Sequence, residues 1–401
     1  WTYFSEAVLS DGNEQGRLYE QAVKSWQEMI KKYPSGSYSD QAQYHQGVAQ
    51  SNLRRYQTAI NTFSELLQTY QTSNWRDDAQ YQIGWSFYKL ERYNDAIMAF
   101  QEQLRSFPAS QLEPKAIFGI ANAYFKLGKY ASAITEYRRV IENFPNLKLQ
   151  MGRPGAEKTF DLRPEAQYYV AESYINLKNY QKAVQGYQEV IEHYPKSMWA
   201  DDAQYGIATA YEDQGKSQQA LQAYNHLIKD YPDSLLAPDV QIHIGRFYFI
   251  EKNYSRAISE FQKVIDQYGR SESSSLARYH IGKSYLEIGS FKQAISAFEK
   301  VSKKSELAAT SRYEAGYVWY NKNNPGRNLE KAITAFLLVA REYPSSNDAP
   351  QALLLAGNCN QELLRWSEAA EIYRTILDKY DSSEQAKMTQ LLLGHVYRAQ
   401  K

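Results

Sequence analysis

Ten alanines share one phase along this chain of 401 residues: Ala22, Ala59, Ala96, Ala133, Ala183, Ala220, Ala257, Ala294, Ala332 and Ala369. They are spaced 37 residues apart, except for a gap of 50 after Ala133 and one of 38 after Ala294. Twelve residues before most of them stands a second small residue: Gly47, Gly84, Ala121, Ala171, Ala208, Gly245, Gly282 and Gly357. Twelve residues after, the chain tends to break, at Pro34, Pro108, Pro145, Pro195, Pro232 and Pro344, with Gly269 and Asp381 in the same slot. A fixed period of this length is the signature of a solenoid, whose units pack only on their neighbours. It overrides the length prior, which alone would divide the chain into two or three globular domains.

Each unit reads as two amphipathic helices. Tyr205, Ala208 and Tyr211, then Ala220, Tyr224 and Leu227, recur at spacings of three and four, which is helical period. Asp201 or Asp202 is expected to cap the first helix, Gly215 to break it, and Pro232 to end the second. Ser73, Ser110, Ser197, Ser234, Ser271, Ser346 and Ser383 lie two residues past the break and start the next unit. The small residues fit where two antiparallel helices approach closely. A helix of about 14 residues is about 21 Å long, too short for one pair to bury its own apolar face, so stacking must bury it.

This pattern resembles the tetratricopeptide repeat family. Gly84, Phe87, Ala96, Phe100 and Pro108 match its motif in order, as do Ala171, Tyr174, Ala183, Tyr187 and Pro195. The period departs from the family's usual 34, and its early tryptophan is replaced by Gln43, Gln80, Gln167, Gln204 and Gln241. The resemblance implies an all-α, right-handed superhelical solenoid of antiparallel helix pairs, about ten repeats over 1–401, acting as a protein-interaction scaffold without a reaction of its own. The segments Tyr231–Ser234 and Asp201–Tyr205 are similar to repeats of bacterial envelope proteins, among them the Tol–Pal-associated periplasmic coordinators and the lipoproteins of outer-membrane barrel assembly. That narrower likeness implies a periplasmic or envelope location and association with an envelope complex, with the cytoplasm as the alternative.

Residues 2–16 read as a first helix with Ser10 at the small-residue position, and the chain stops after a lone first helix containing Gly394 and Tyr397. Both ends are expected to be cuts in a larger protein. Two places break the register. The stretch 146–163, with Gly152, Pro154 and Gly155, has no helical period and is expected to be a loop. Asn321–Gly326 opens a lengthened turn, 321–328, inside one repeat.

Charge and motif exclude much chemistry. Lys and Arg number 46 against 45 Asp and Glu, so no basic face for nucleic acid is implied. The longest apolar stretches are far too short to span a bilayer. Gly152–Thr159 nearly spells a phosphate-binding loop, but Glu157 stands where glycine is needed and the preceding strand is missing. No histidine pair has ligand spacing on one helix; His243 and His280 share a phase without a carboxylate or cysteine beside them, so no metal is expected. The one cysteine, Cys359, reads as a small buried hydrophobe. Asn253-Tyr254-Ser255 is a glycosylation sequon. No cofactor and no catalytic residue is expected.

The aromatic stripes carry the functional signal. Phe87, Tyr124, Tyr174, Tyr211, Tyr248, Tyr285, Trp319 and Tyr397 match a core position of the family. A second stripe, Tyr44, Tyr81, Phe118, Tyr168, Tyr205, Tyr279 and Tyr313, lies six residues earlier, where the family turns toward its concave groove. Four residues beyond it the type varies, as at Trp85, Asn122, Arg246, Lys283 and Tyr317. With Tyr88 and Phe125 these positions form the expected binding face for other proteins or peptides, and the 146–163 insertion a second contact. Some family members clamp a terminal carboxylate with lysine and asparagine here. Asn122 and Asn358 fit the asparagine, but Phe118 and Leu354 hold the lysine position, so no clamp is expected. An accessory region of a larger enzyme or secretion machine, and a polysaccharide- or peptidoglycan-binding module, are the competing readings.

Overall fold

The computed structural model describes residues 2–10, 12–108, 110–151, 158–269 and 272–400. They form 21 α-helices and two short strands, in two compact units, Trp1–Gln214 and Gly215–Lys401. In the first unit a short helix, Thr2–Leu9, precedes Gly12–Lys32; then come the pairs Ser39–Asn52 with Tyr56–Thr69, Arg76–Lys89 with Tyr93–Ser106, Glu113–Lys126 with Tyr130–Asn143 and Arg163–Asn176 with Tyr180–His193, followed by Ala200–Asp213. The second begins with Ser217–Asp230. It continues through Ala237–Ile250 with Tyr254–Tyr268, Glu272–Glu287 with Phe291–Glu299, Ala308–Tyr320 with Leu329–Glu342 and Asp348–Glu362 with Trp366–Lys379, and ends in Glu384–Ala399. Within each unit successive helices pack on one another, which is the all-α solenoid of antiparallel pairs expected from the repeat.

The phased alanines are all buried, and four residues beyond each of them stands a buried aromatic ring: Trp26, 4 % exposed, and then Phe63, Phe100, Tyr137, Tyr187, Tyr224, Phe261, Phe298, Phe336 and Tyr373, each with at most 2 % of its surface exposed. Burying one such side chain stabilises the fold by roughly 1.5–3 kcal/mol. The small residue of the first helix lies flat against this ring. A Cβ added at Gly84 would stand 2.6 Å from the Phe100 ring, and one added at Gly119, on the next first helix, 2.7 Å from the same ring. Phe100 is therefore held between two successive repeats. Gly316 faces Phe336 in the same way; the lengthened turn had moved it out of the twelve-residue register.

The glutamines that replace the family tryptophan tie the pair together. Buried Gln43, Gln80 and Gln167 donate to the carbonyls of Thr62, Ala99 and Gly186 at 3.3, 2.9 and 3.2 Å, and Gln241 donates to the Glu260 carboxylate at 2.8 Å. Neighbouring repeats are laced along both edges. On the break side Ser73 donates to Asp40 at 2.6 Å and Ser273 to Asp239 at 2.7 Å, with Ser110 to Asp77 and Ser305 to Glu272 alike. On the turn side Arg55 pairs with Glu20, Arg365 with Glu330, and Arg327 with Glu362 at 2.5 Å. Apart from the lengthened turn 321–328, the turn inside each of these pairs passes through one left-handed residue. Gly128, Gly215 and Gly289 serve there, but so do Arg54, Glu91, Lys178, Lys252 and Leu364, at φ between 56° and 60°.

Three expectations are corrected. Asp201 and Asp202 lie inside the first turn of Ala200–Asp213, behind an N-cap at Trp199. The opening helix stops at Leu9 rather than 16, because Gly12 takes a positive φ and starts a helix of 21 residues. The 146–163 stretch is not only loop: Leu149–Met151 and Lys158–Phe160 pair antiparallel, Leu149 opposite Phe160. The phosphate-loop lookalike falls mostly on 152–157, outside the described residues. Asn253 caps Tyr254–Tyr268, its Oδ1 accepting from the Arg256 amide at 3.3 Å.

Candidate functional site

The first helices carry the candidate face, and its base is the second aromatic stripe. Six rings of that stripe meet the central ring of their own repeat at a tilted or edge-on angle. Centroids are 5.8 Å apart for Tyr44–Phe63, 5.7 Å for Tyr81–Phe100, 5.5 Å for Phe118–Tyr137, 5.6 Å for Tyr168–Tyr187, and 5.8 Å for both Tyr279–Phe298 and Tyr313–Phe336. Tyr44 and Phe118 are buried. They belong to the core, and the expectation that they contact a partner is withdrawn. Tyr81, Tyr168, Tyr205, Tyr279 and Tyr313 are half-buried, with an outer edge toward solvent. Burial pushes the hydroxyls of Tyr81, Tyr88 and Tyr313 up to about 12, so they stay neutral hydrogen-bonding groups at any ordinary pH.

One turn further along, the residues differ in what they can offer. Trp85 and Tyr88 stack with planes 2° from parallel and centroids 5.1 Å apart, and Lys89 lies over the indole at 5.0 Å. Phe125 meets Tyr169 of the next first helix edge-on at 5.5 Å. Asn122 is already engaged: its Oδ1 accepts from the Tyr137 hydroxyl at 2.5 Å, as Asn358 accepts from Tyr373 at 2.7 Å. Glu172 does the same for the Tyr187 hydroxyl, whereas the hydroxyl of Tyr224 meets His243 Nδ1 at 3.2 Å. Asn122 is thus a packing partner. In the second unit Arg246 and Tyr317 are exposed, and Lys283 pairs with Glu314 at 3.2 Å.

The first stripe edges the core as expected, half-buried except for exposed Tyr397. Several of its rings lie under cations, as Phe87 under Arg92 at 4.6 Å and Trp319 under Lys331 at 4.4 Å. His243 and His280 lie on the rings of Tyr224 and Phe261, 4.9 and 5.0 Å away. Cys359 is fully buried, and burial pushes its thiol up to about 12. Among the described residues no group of three or more His, Cys, Asp or Glu could hold a metal ion, and no helix is long and apolar enough to cross a membrane.

Stacked helix pairs with a small-residue and ring lock in each define a helical repeat protein. The tetratricopeptide repeat family profiles match residues 41–73, 165–197, 202–234 and 351–383 in one form and 81–148 and 279–347 in another, about two thirds of the chain. The chain belongs to the tetratricopeptide repeat family, and its repeats are those of a protein-interaction scaffold whose partners are proteins or peptides. Solved structures similar to it include a tetratricopeptide repeat protein of Parabacteroides merdae, 16% identical over 76% of this chain and 99% of that one, with a TM-score of 0.39. The C-terminal part of a repeat protein of Cytophaga hutchinsonii is 18% identical over 68% and 99%, with a TM-score of 0.49. Comparison with curated protein sequences gives no match.

Proposed function

We propose that the chain is a non-catalytic scaffold whose first helices receive a segment of another protein, within an assembly of the bacterial cell envelope. The observation that carries the docking face is the stacked pair Trp85–Tyr88, continued by Phe125 and Tyr169 across successive first helices with edges open to solvent. Large, rigid, amphipathic side chains of this kind are the usual anchors of protein interfaces. Half-buried Tyr168 and Tyr205, with Arg246, Tyr279, Lys283, Tyr313 and Tyr317 in the second unit, extend the same register. The envelope location rests on the likeness of Tyr231–Ser234 and Asp201–Tyr205 to repeats of envelope proteins. Capture of partners from an envelope fraction is expected to fail when Trp85→Ala and Tyr88→Ala are combined, and to persist with the exposed Gln181→Ala. Partners retained equally by both overturn the docking face. A leader-bearing gene product found in the cytosol after fractionation overturns the location alone.

A further inference from the structure

We infer that the surface around Tyr169 in the first unit seats a cationic side chain, lysine or arginine, presented by the partner protein. This rests on the docking face proposed above and names the chemistry of its occupant.

Tyr169 stands at the centre of an aromatic surface drawn from the helices Glu113–Lys126, Tyr130–Asn143 and Arg163–Asn176 and from Trp199, the N-cap of Ala200–Asp213. It stacks on Tyr137 at 5.7 Å and 16°, and meets Phe125 at 5.5 Å, Tyr168 at 5.6 Å and Trp199 at 5.8 Å, each edge-on. Phe125, Tyr168, Tyr169 and Trp199 are all half-buried. Three carboxylates act electrostatically on the Tyr169 hydroxyl: Glu165 one turn before it, Glu172 one turn after, and Asp202 on the next first helix. Among the described residues none of the three pairs with a lysine or arginine. Lys115, in the phase of Glu165 one repeat earlier, is drawn to Asp78 instead.

An aromatic surface beside carboxylates is selective. Ring faces attract a guanidinium or ammonium by about 0.5–1 kcal/mol when exposed and about 2 when desolvated. Burial raises Glu165 and Asp202 above the usual carboxylate range, and Asp201 and Glu172 push Asp202 further the same way. A cation placed among them offsets that repulsion, whereas an acidic segment would add to it. The carboxylates do not gather into a metal site. Nor are they an architectural need of the repeat, since the second unit carries Arg246 and Lys283 in the phase of Glu172.

The test uses acetyl-Ala-Ala-Arg-Ala-Ala-amide and its twin with citrulline for arginine, which keeps the shape and removes the charge. Binding is read on the indole N–H signal of Trp199 by NMR. The arginine peptide is expected to shift that signal saturably in the millimolar range, less tightly as salt is raised. The citrulline twin should bind about tenfold more weakly, between the size of an exposed cation–π contact and that of a desolvated one. Glu165→Gln with Asp202→Asn should weaken the arginine peptide by a similar factor at unchanged circular dichroism, and exposed Glu192→Gln should not. Equal binding of the twins, an undiminished affinity in the double variant, or no saturable response to the arginine peptide overturns the inference. The docking face is judged separately, by partner capture with the Trp85 and Tyr88 variants.

Discussion

The imidazole of His280 lies almost flat on the ring of Phe261, with centroids 5.0 Å apart and planes 12° from parallel. His243 on Tyr224, at 26°, and Tyr169 on Tyr137, at 16°, repeat the arrangement. Where the next first helix has glycine at this place, as at Gly119 and Gly206, backbone comes up to the ring instead. The central ring of a repeat is therefore closed by the repeat that follows it.

That seat makes stability depend on pH. Burial, with Arg246 and Lys283 adding to it, holds His280 down at about 4 against an ordinary 6.5. Between those values the unfolded chain takes up a proton that the folded chain refuses, so stability falls as pH drops from 6.5 toward 4 and the loss levels off below. Glu314, on the next first helix, Ala308–Tyr320, pairs with that Lys283 at 3.2 Å. His280→Tyr keeps a ring on Phe261 and removes the titration. The wild-type melting temperature is expected to fall more steeply than the variant's between pH 6.5 and 4.5; parallel curves would show that the imidazole does not carry the effect.

Glycine is required at some first helices and not at others. Gly84→Ala should cost about 1–3 kcal/mol, because its Cβ would stand 2.6 Å from Phe100. Gly394 occupies the same phase in the last helix with nothing within 4 Å, so Gly394→Ala should stabilise that helix by roughly 0.5–1 kcal/mol. Hydrogen exchange of the two helices separates the outcomes; equal changes would mean that the ring contact does not decide them.

The bond between Tyr137 and Asn122 should behave as a pair. Tyr137→Phe removes the donor and should cost about 0.5–1.5 kcal/mol, whereas Asn122→Ala strands a buried hydroxyl and should cost about 1–3. The double variant should recover part of the second loss. A double-mutant cycle in urea with strictly additive costs would show that the 2.5 Å contact is not an energetic link.

Leu364 is 70 % exposed and sits at φ 58°, a conformation that glycine adopts without strain. Leu364→Gly should raise stability by roughly 0.5–1 kcal/mol, as should Lys178→Gly at φ 56°. A lower melting temperature in either would mean that the side chain packs usefully despite its position.

Much of the fold was legible because one spacing repeats. Ala96 and Phe100 stand in the same phase as Ala257 and Phe261, so helix, face and core follow together. What a position touches is less legible. Asn122 reads as a groove residue until the tyrosine beneath it is seen, and the glutamines that stand for tryptophan reveal their task only once Thr62, Ala99 and Gly186 offer carbonyls across the pair. Lys178 and Leu364 give no composition signal for a left-handed turn, because neighbouring packing imposes a conformation that their own preferences oppose. The pairing of Leu149–Met151 with Lys158–Phe160 is a local strand contact to which helical periodicity is blind.

The laced edges give the stack a mechanical character. Hydroxyl-to-acid ties join the break sides at Asp40 and Asp77, but Pro114 and then Pro164 stand where the acid would be, and among the described residues no such tie forms there. A cleft of about 790 Å³ opens at that place, between Ser110–Lys115 and Phe144–Leu149, and the strand pair emerges beside it. Where the hydroxyl-to-acid tie is missing, other bonds take its place: Leu147, Leu149 and Leu162 are buried in the core that Phe118 and Tyr137 share, and the Arg163 guanidinium donates to the Pro145 carbonyl across the break. At this place the first unit is therefore joined by apolar burial and a guanidinium rather than by serine and acid.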